Sequence, residues 1–271
     1  MKGNVEFRAD RLAVLIDADN ARASMIEPLL KEITKYGTAN VKRIYGDWTS
    51  NQLISWKDKL NKFAVLPIQQ FSYTTGKNST DSALIIDAMD LLYTQNFDGF
   101  CIVSSDSDFT RLACRIREAG LSVYGFGEQK TPEPFVKACD RFIYTEILDG
   151  IVTTVISSLS ERISTTSNSS IQSHQHIPTD SDSNKKAKQK QEIINLLKDV
   201  YEASEEKDGW VNLGTLGSQI NKLSPSFDSR NFGYKKLGDL VRDIDIFNIK
   251  ENPQEKNPAL KDLYIKLKAT V

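Results

Sequence analysis

Short apolar runs recur through the first 150 residues: "LAVLI" at 12–16, "VKRIYG" at 41–46, "FAVLPI" at 63–68, "GFCIVS" at 99–104 and "LSVYGFG" at 121–127. Runs of this length between polar and turn-forming residues predict β-strands, the most apolar of them buried on both faces. Between them the apolar positions fall at helical spacing, in "SMIEPLLKEITKYG", "TDSALIIDAMDLLYTQ" and "SDFTRLACRIREAG". Strands alternating with helices predict an α/β fold, a parallel sheet with helices on both faces. Gly120 is placed to end the third of these helices in the left-handed conformation.

The pattern stops near residue 160. "SERISTTSNSSIQSHQHIPTDSDSNKKAKQKQ" holds no aromatic residue and few apolar ones, which is the composition of a flexible linker. Amphipathic spacing resumes in "IINLLKDVYEA", "GWVNLGTLGSQINKL" and "YKKLGDLVRDI", and the chain closes on the alternation "LKDLYIKLK". Three helices and a short hairpin predict a small winged-helix-like module. The expected organisation is a catalytic-type α/β domain at 1–150, a helix end and polar linker at 151–187, and the module at 188–271.

Composition removes some chemistries. A formal charge of −1 and a pI near 6.2 exclude a uniformly basic nucleic-acid binder. The charge is nevertheless segregated, with 16 Lys/Arg against 13 Asp/Glu in 185–271 and 18 against 20 in 1–150. The 3 cysteines form no CxxC pair, which argues against a disulfide framework or a zinc ribbon. With no run of about 18 apolar residues and no N-terminal hydrophobic segment, the expected location is the cytoplasm, away from membranes. The only histidines, His174 and His176, lie in the linker. Chemistry in the folded parts therefore falls to carboxylates, hydroxyls, lysine or a hard metal ion.

Carboxylates stand where such chemistry is expected. In a parallel sheet the carboxyl ends of all strands share one edge, and ligands bind at the crevice where strand order reverses. Asp17 follows the first apolar run, in "DADN", and Asp106 and Asp108 follow the fourth, in "SSDSDF". At about 100° per residue, Asp81 shares a helix face with Leu84, Ile85 and Ala88, while Asp90 falls opposite. Each acid also has a local explanation: Asp81 as a first-turn acid behind a Thr80 cap, Ser107 or Asp108 as the cap of the next helix. Together, four like charges repel one another and raise one another's pKa unless a cation neutralises them. Oxygen-only ligation points to Mg²⁺ or Mn²⁺, which activates water and clamps a phosphate oxygen for phosphodiester hydrolysis. Asn20 and Ser104 or Ser105 are placed to orient water or phosphate, with turn and cap roles standing beside that reading. Lys77, in "YTTGKNSTD", either steadies a phosphate as a point charge or is a solvated loop lysine.

At these residues the chain resembles the NYN family of PIN-like nucleases, in its bacterial LabA-like branch. The resemblance is carried by "LIDADNA", "KNSTDSALIIDAMDL", "FCIVSSDSDFTRLACRIREAG" and "VYGFGEQKTPEPFVKACDRFIY", across residues 10–147. It implies a metal-dependent ribonuclease with Asp17, Asp81, Asp106 and Asp108 as the acidic metal-binding positions and Asn20 as the polar position after the first strand. Ser107 stands where many relatives carry glycine. Residues 188–270, notably "GWVNLGTLGSQINKLSPSFDSRNFGYKKLGDLVRD", resemble the OST-HTH/LOTUS winged-helix module, which implies binding of single-stranded or structured RNA, or of protein. Ser105 in the first domain and Arg230, Lys235 and Lys236 in the module are the expected RNA contacts, with a homodimer left open. Tyr234 either stacks on a base or packs in the core, where Trp210, Phe232 and Leu237 are expected.

Three other readings stand beside this one. The same fold could act as an RNA-binding regulator with a silent site. "LIDADN" is similar to the DxD start of haloacid-dehalogenase-like phosphatases, but Asn20 and Ala21 depart from that pattern. No GxGxxG follows the first strand, which disfavours a dinucleotide site.

Overall fold

The computed structural model describes residues 9–71, 79–148, 180–204, 208–253 and 261–268, with side chains in the third stretch described from 190 onward. The chain divides into two compact units, Met1–Val152 and Thr153–Val271.

In the first unit, six strands form one parallel sheet: β1 (Arg11–Asp17), β2 (Thr38–Gly46), β3 (Leu66–Gln69), β4 (Gly99–Val103), β5 (Ser122–Gly127) and β6 (Arg141–Tyr144). Their spatial order is β3-β2-β1-β4-β5-β6. The order reverses between β1 and β4, both buried almost throughout, so the crevice for a ligand opens beside Asp17 and the residues after Val103. The five predicted runs fall on the first five strands, except that the run at 63–68 opens on the end of a helix, Lys57–Phe63, and becomes strand only at Leu66. β6, only four residues long, was not foreseen.

The helices are α1 (Ile26–Ile33), α2 (Lys57–Phe63), α3 (Ser79–Tyr93), α4 (Thr110–Glu118) and α5 (Glu133–Ala138). Side chains alternate across each strand, and the two sheet faces build two cores. One holds Ala13, Leu15 and Tyr45 with Leu84, Ala88, Phe109, Phe135 and Phe142. The other holds Leu12, Val14 and Ile16 with Ile26, Leu29, Trp56 and Phe126. Gly120 ends α4 with φ +81, as expected.

The second unit holds α6 (Asp180–Ser204), β7 (Val211–Asn212), α7 (Leu213–Leu223), α8 (Leu237–Ile244), β8 (Phe247–Pro253) and β9 (Lys261–Leu267). β8 and β9 form the predicted antiparallel hairpin, and β7 adds to it as a third strand. Asn212 caps α7, its Oδ1 accepting from the Gly214 and Thr215 amides at 2.8 and 3.3 Å. Two expectations need correction. The last residues assigned to the linker, 180–187, are the first turns of α6, where lysine, alanine and glutamine favour helix over coil. Trp210 is half-exposed and stands apart from the core cluster, which Leu197, Val200, Tyr201, Leu216 and Ile265 fill, with Phe232 and Leu237 against it. Among the described residues no helix is long and apolar enough to cross a membrane.

Candidate metal centre

Asp17 is the last residue of β1 and is fully buried. Three donors meet its carboxylate: the Asp19 amide on Oδ1 at 3.0 Å, and Asn20 Nδ2 and Ser104 Oγ on Oδ2, each at 2.7 Å. Ser104 also accepts from the Asp106 amide at 3.1 Å. One hydroxyl thus joins the acid at the end of β1 to the acid loop after β4. Asn20 is brought into the site by its bond to Asp17.

After β4 the chain turns through Asp106, which caps a single 3₁₀ turn, Ser107–Phe109, by accepting from the Asp108 amide at 2.9 Å. The cap is therefore Asp106, where Ser107 or Asp108 was the local alternative. That turn aims Asp108 back toward Asp106 and sinks Phe109 into the core. Across the crevice α3 presents Asp81. Its predicted phase is observed: Leu84 and Ala88 are fully buried, Ile85 is partly buried and Asp90 is exposed. Thr80 lies inside the first turn of α3, so the helix begins one residue before the expected cap.

Asp81, Asp106 and Asp108 each offer a carboxylate oxygen, and these oxygens lie within 4.8 Å of one another. Asp17 stands outside that trio, its own oxygens engaged by Ser104, Asn20 and the Asp19 amide. Burial pushes Asp81 up to about 6, and the charges of Asp17, Asp106, Asp108 and Asp19 add to the rise. Burial also raises Asp17, against the lowering effect of its bonds from Ser104, Asn20 and the Asp19 amide. The donor set fits a hard divalent cation: three carboxylates, no imidazole or thiolate, and a mutual repulsion that such an ion relieves.

A pH dependence follows. Asp81 holds its proton more tightly when folded, at about 6, than at its ordinary 3.8. Its protonation therefore favours the folded state fully below about pH 4, and that contribution is lost as pH rises to about 6. In EDTA, the melting temperature is expected to fall across this window more steeply in the wild type than in Asp81→Asn. Thermal scans at stepped pH check it; superimposable profiles would contradict the assignment.

The other expected residues are distributed as follows. Ser105 is buried and its Oγ accepts from the Glu128 amide at 2.8 Å, which ties the loop after β4 to the end of β5. Lys77 lies outside the described residues. Lys235 and Lys236 are exposed. Arg230 is held by Asp228 through Nε at 2.9 Å and a terminal guanidinium nitrogen at 2.7 Å. Tyr234 packs at the edge of the core, and its hydroxyl donates to Asp243 at 2.6 Å. Missed in the sequence were Arg22, which pairs with Glu128 at 3.6 Å beside Asn20 and Ser105, and a polar cluster of Arg43, Tyr45 and Asp87. A charge in a half-buried strand leaves little trace in an apolar pattern.

Residues 11–149 match the NYN domain family, and residues 184–258 match the OST-HTH/LOTUS domain. No curated protein matches the chain. Among solved structures, a protein of unknown function from Vibrio parahaemolyticus is similar at 17% identity and a TM-score of 0.43, covering 52% of this chain and 94% of that one. An uncharacterized protein from Nitrosomonas europaea, solved by NMR, is 30% identical with a TM-score of 0.26, covering 40% of this chain and 89% of that one. At those TM-scores neither likeness bears on fold or activity.

Proposed function

The chain belongs to the NYN domain family, and we propose that it is a metal-dependent ribonuclease that hydrolyses RNA phosphodiesters and holds its substrate with help from the OST-HTH/LOTUS module. The two domains together are those of a nuclease-like RNA-binding protein. The observation that carries the finer reading is the trio Asp81, Asp106 and Asp108, with their oxygens within 4.8 Å at the crevice of the sheet.

In this reading those three residues hold Mg²⁺ or Mn²⁺. Such an ion, when bound, supplies Lewis acidity to an attacking water and to a phosphate oxygen. The rest is done by the chain. Asp17 organises: by accepting from Ser104 and Asn20 it fixes the loop that carries Asp106 and Asp108. Asp106 uses Oδ1 to accept from the Asp108 amide, which holds its carboxylate in the turn that also carries Asp108. Asn20 is the proposed group for orienting a water or a phosphate oxygen; Ser104, buried, would join it only by releasing Asp17 or the Asp106 amide. Lys77 in the first domain and Lys235 and Lys236 in the module are the proposed phosphate contacts. Arg230 would join them only by leaving Asp228, and Ser105 only by releasing the Glu128 amide. No observation supports a homodimer.

A second reading, an RNA-binding regulator with a silent site, is favoured by one observation: Asp17 is buried and its oxygens accept from Ser104, Asn20 and the Asp19 amide, and among the described residues the acids that converge are the other three. End-labelled single-stranded and structured RNAs, incubated with the full chain in Mn²⁺, Mg²⁺ or EDTA while binding is recorded, separate the two. Cleavage in a divalent ion and none in EDTA is the expected result. Tight binding without cleavage in any metal would favour the regulator.

A further inference from the structure

Asp81 is the one member of the acidic trio that does not sit on the loop after β4; it is carried by α3. That helix lies on the sheet through Leu84, Ala88, Leu91 and Leu92. Apolar contact is non-directional and does not by itself fix a helix's rotation. Turning a helix by about 20° moves a side-chain end at a radius of about 6 Å through roughly 2 Å. A small hard cation demands near-ideal geometry, so that error is large.

A polar contact on the same helix meets this need. Asp87, six residues or about 1.7 turns along α3 from Asp81, receives two donors from β2: Arg43 on Oδ1 and the Tyr45 hydroxyl on Oδ2. The donors stand two residues apart on one strand, so both oxygens of the carboxylate are held, which constrains the rotation and the axial position of α3. Tyr45 is fully buried and pairs in register with Asp17, and its carbonyl accepts from the Ala18 amide at 3.0 Å. One residue therefore touches the end of β1 through its backbone and α3 through its side chain. The Arg43–Asp87 pair is only partly exposed, at 27% and 22%, and joins one side chain of β2 to one of α3. Its directional constraint is an account of why a charge sits there.

We infer that Arg43, Tyr45 and Asp87 are positioning residues for the candidate metal centre: they set α3 against β2 and so fix the approach of Asp81 to Asp106 and Asp108. The inference rests on the metal reading above.

The test is Mn²⁺ titration of the full chain followed by electron paramagnetic resonance, in wild type, Tyr45→Phe, Asp87→Asn, Asp81→Asn and the exposed-face control Asp90→Asn, with circular dichroism at the same temperature. Tyr45→Phe and Asp87→Asn are expected to weaken Mn²⁺ binding about tenfold or more with unchanged dichroism. Asp90→Asn is expected to bind as the wild type does. If Asp87→Asn fails to fold, Tyr45→Phe carries the test, since it deletes one oxygen and keeps the ring in the core. Wild-type affinity in a folded Tyr45→Phe overturns the inference and leaves the metal reading standing. Absence from the wild type of any Mn²⁺ binding that Asp81→Asn removes overturns the metal reading, and the inference with it.

Discussion

Asp106→Asn is expected to cut RNA cleavage in Mn²⁺ or Mg²⁺ by about a hundredfold or more while leaving the protein folded. The amide keeps the volume of the side chain and an oxygen able to accept from the Asp108 amide, so the cap of the 3₁₀ turn survives. The Ser104 contact survives too, because it is made to the backbone of Asp106. What goes is the negative charge, and with it a ligand of the proposed ion. The same change removes one of the charges that hold Asp81 at about 6, so the proton on Asp81 should be lost at lower pH in the variant. Cleavage assays on wild type and variant purified identically, beside their circular dichroism, check this. Equal cleavage by both would mean that the activity does not come from this site.

The second large effect is on stability. Phe142→Ala is expected to destabilise the first unit by about 3–5 kcal/mol, read from the denaturant midpoint of that unit's transition. Phe142 is 1% exposed on β6 and packs edge-on to Phe135 and Tyr144 at centroid distances of 5.8 and 5.4 Å. Its ring also fills the space beside two glycines of β5. A Cβ on Gly125 would strike the ring, and one on Gly127 would lie 2.9 Å from it and 2.6 Å from the Ser104 carbonyl. The pocket is shaped to this side chain on every side, so it has little freedom to collapse once the ring is gone. A loss under about 1 kcal/mol, the scale of an ordinary surface change, would show the packing to be looser than these distances indicate.

The parts of the fold legible in the sequence were those with a period. The centres of β1, β4 and β5 are apolar because both sheet faces are covered, and α3 shows Leu84 and Ala88 at the spacing that places Asp81 beside them. β6 escaped because "RFIY" is short and preceded by Asp140, so it has no run to detect; its strand character comes from pairing with β5. α5, six residues long and opened by proline, is likewise held by Phe135 and Val136 rather than by its own propensity. In the site, the acids were readable from their places after strands, because parallel connectivity puts those places on one edge. Their division of labour was not. Asp17 differs from the other three in its burial and its three donors, one of which, Ser104, arrives from the end of a distant strand. Arg43 and Asp87 read as solvated charges until β2 and α3 are set face to face.

The Ser104–Asp17 hydrogen bond spans 87 positions of chain. During synthesis Asp17 is made well before Asp106, and nothing near it in sequence supplies the other carboxylates. The site is therefore a product of long-range pairing: it exists only where β4 lies beside β1. A chain caught short of that pairing carries the acids without their mutual geometry.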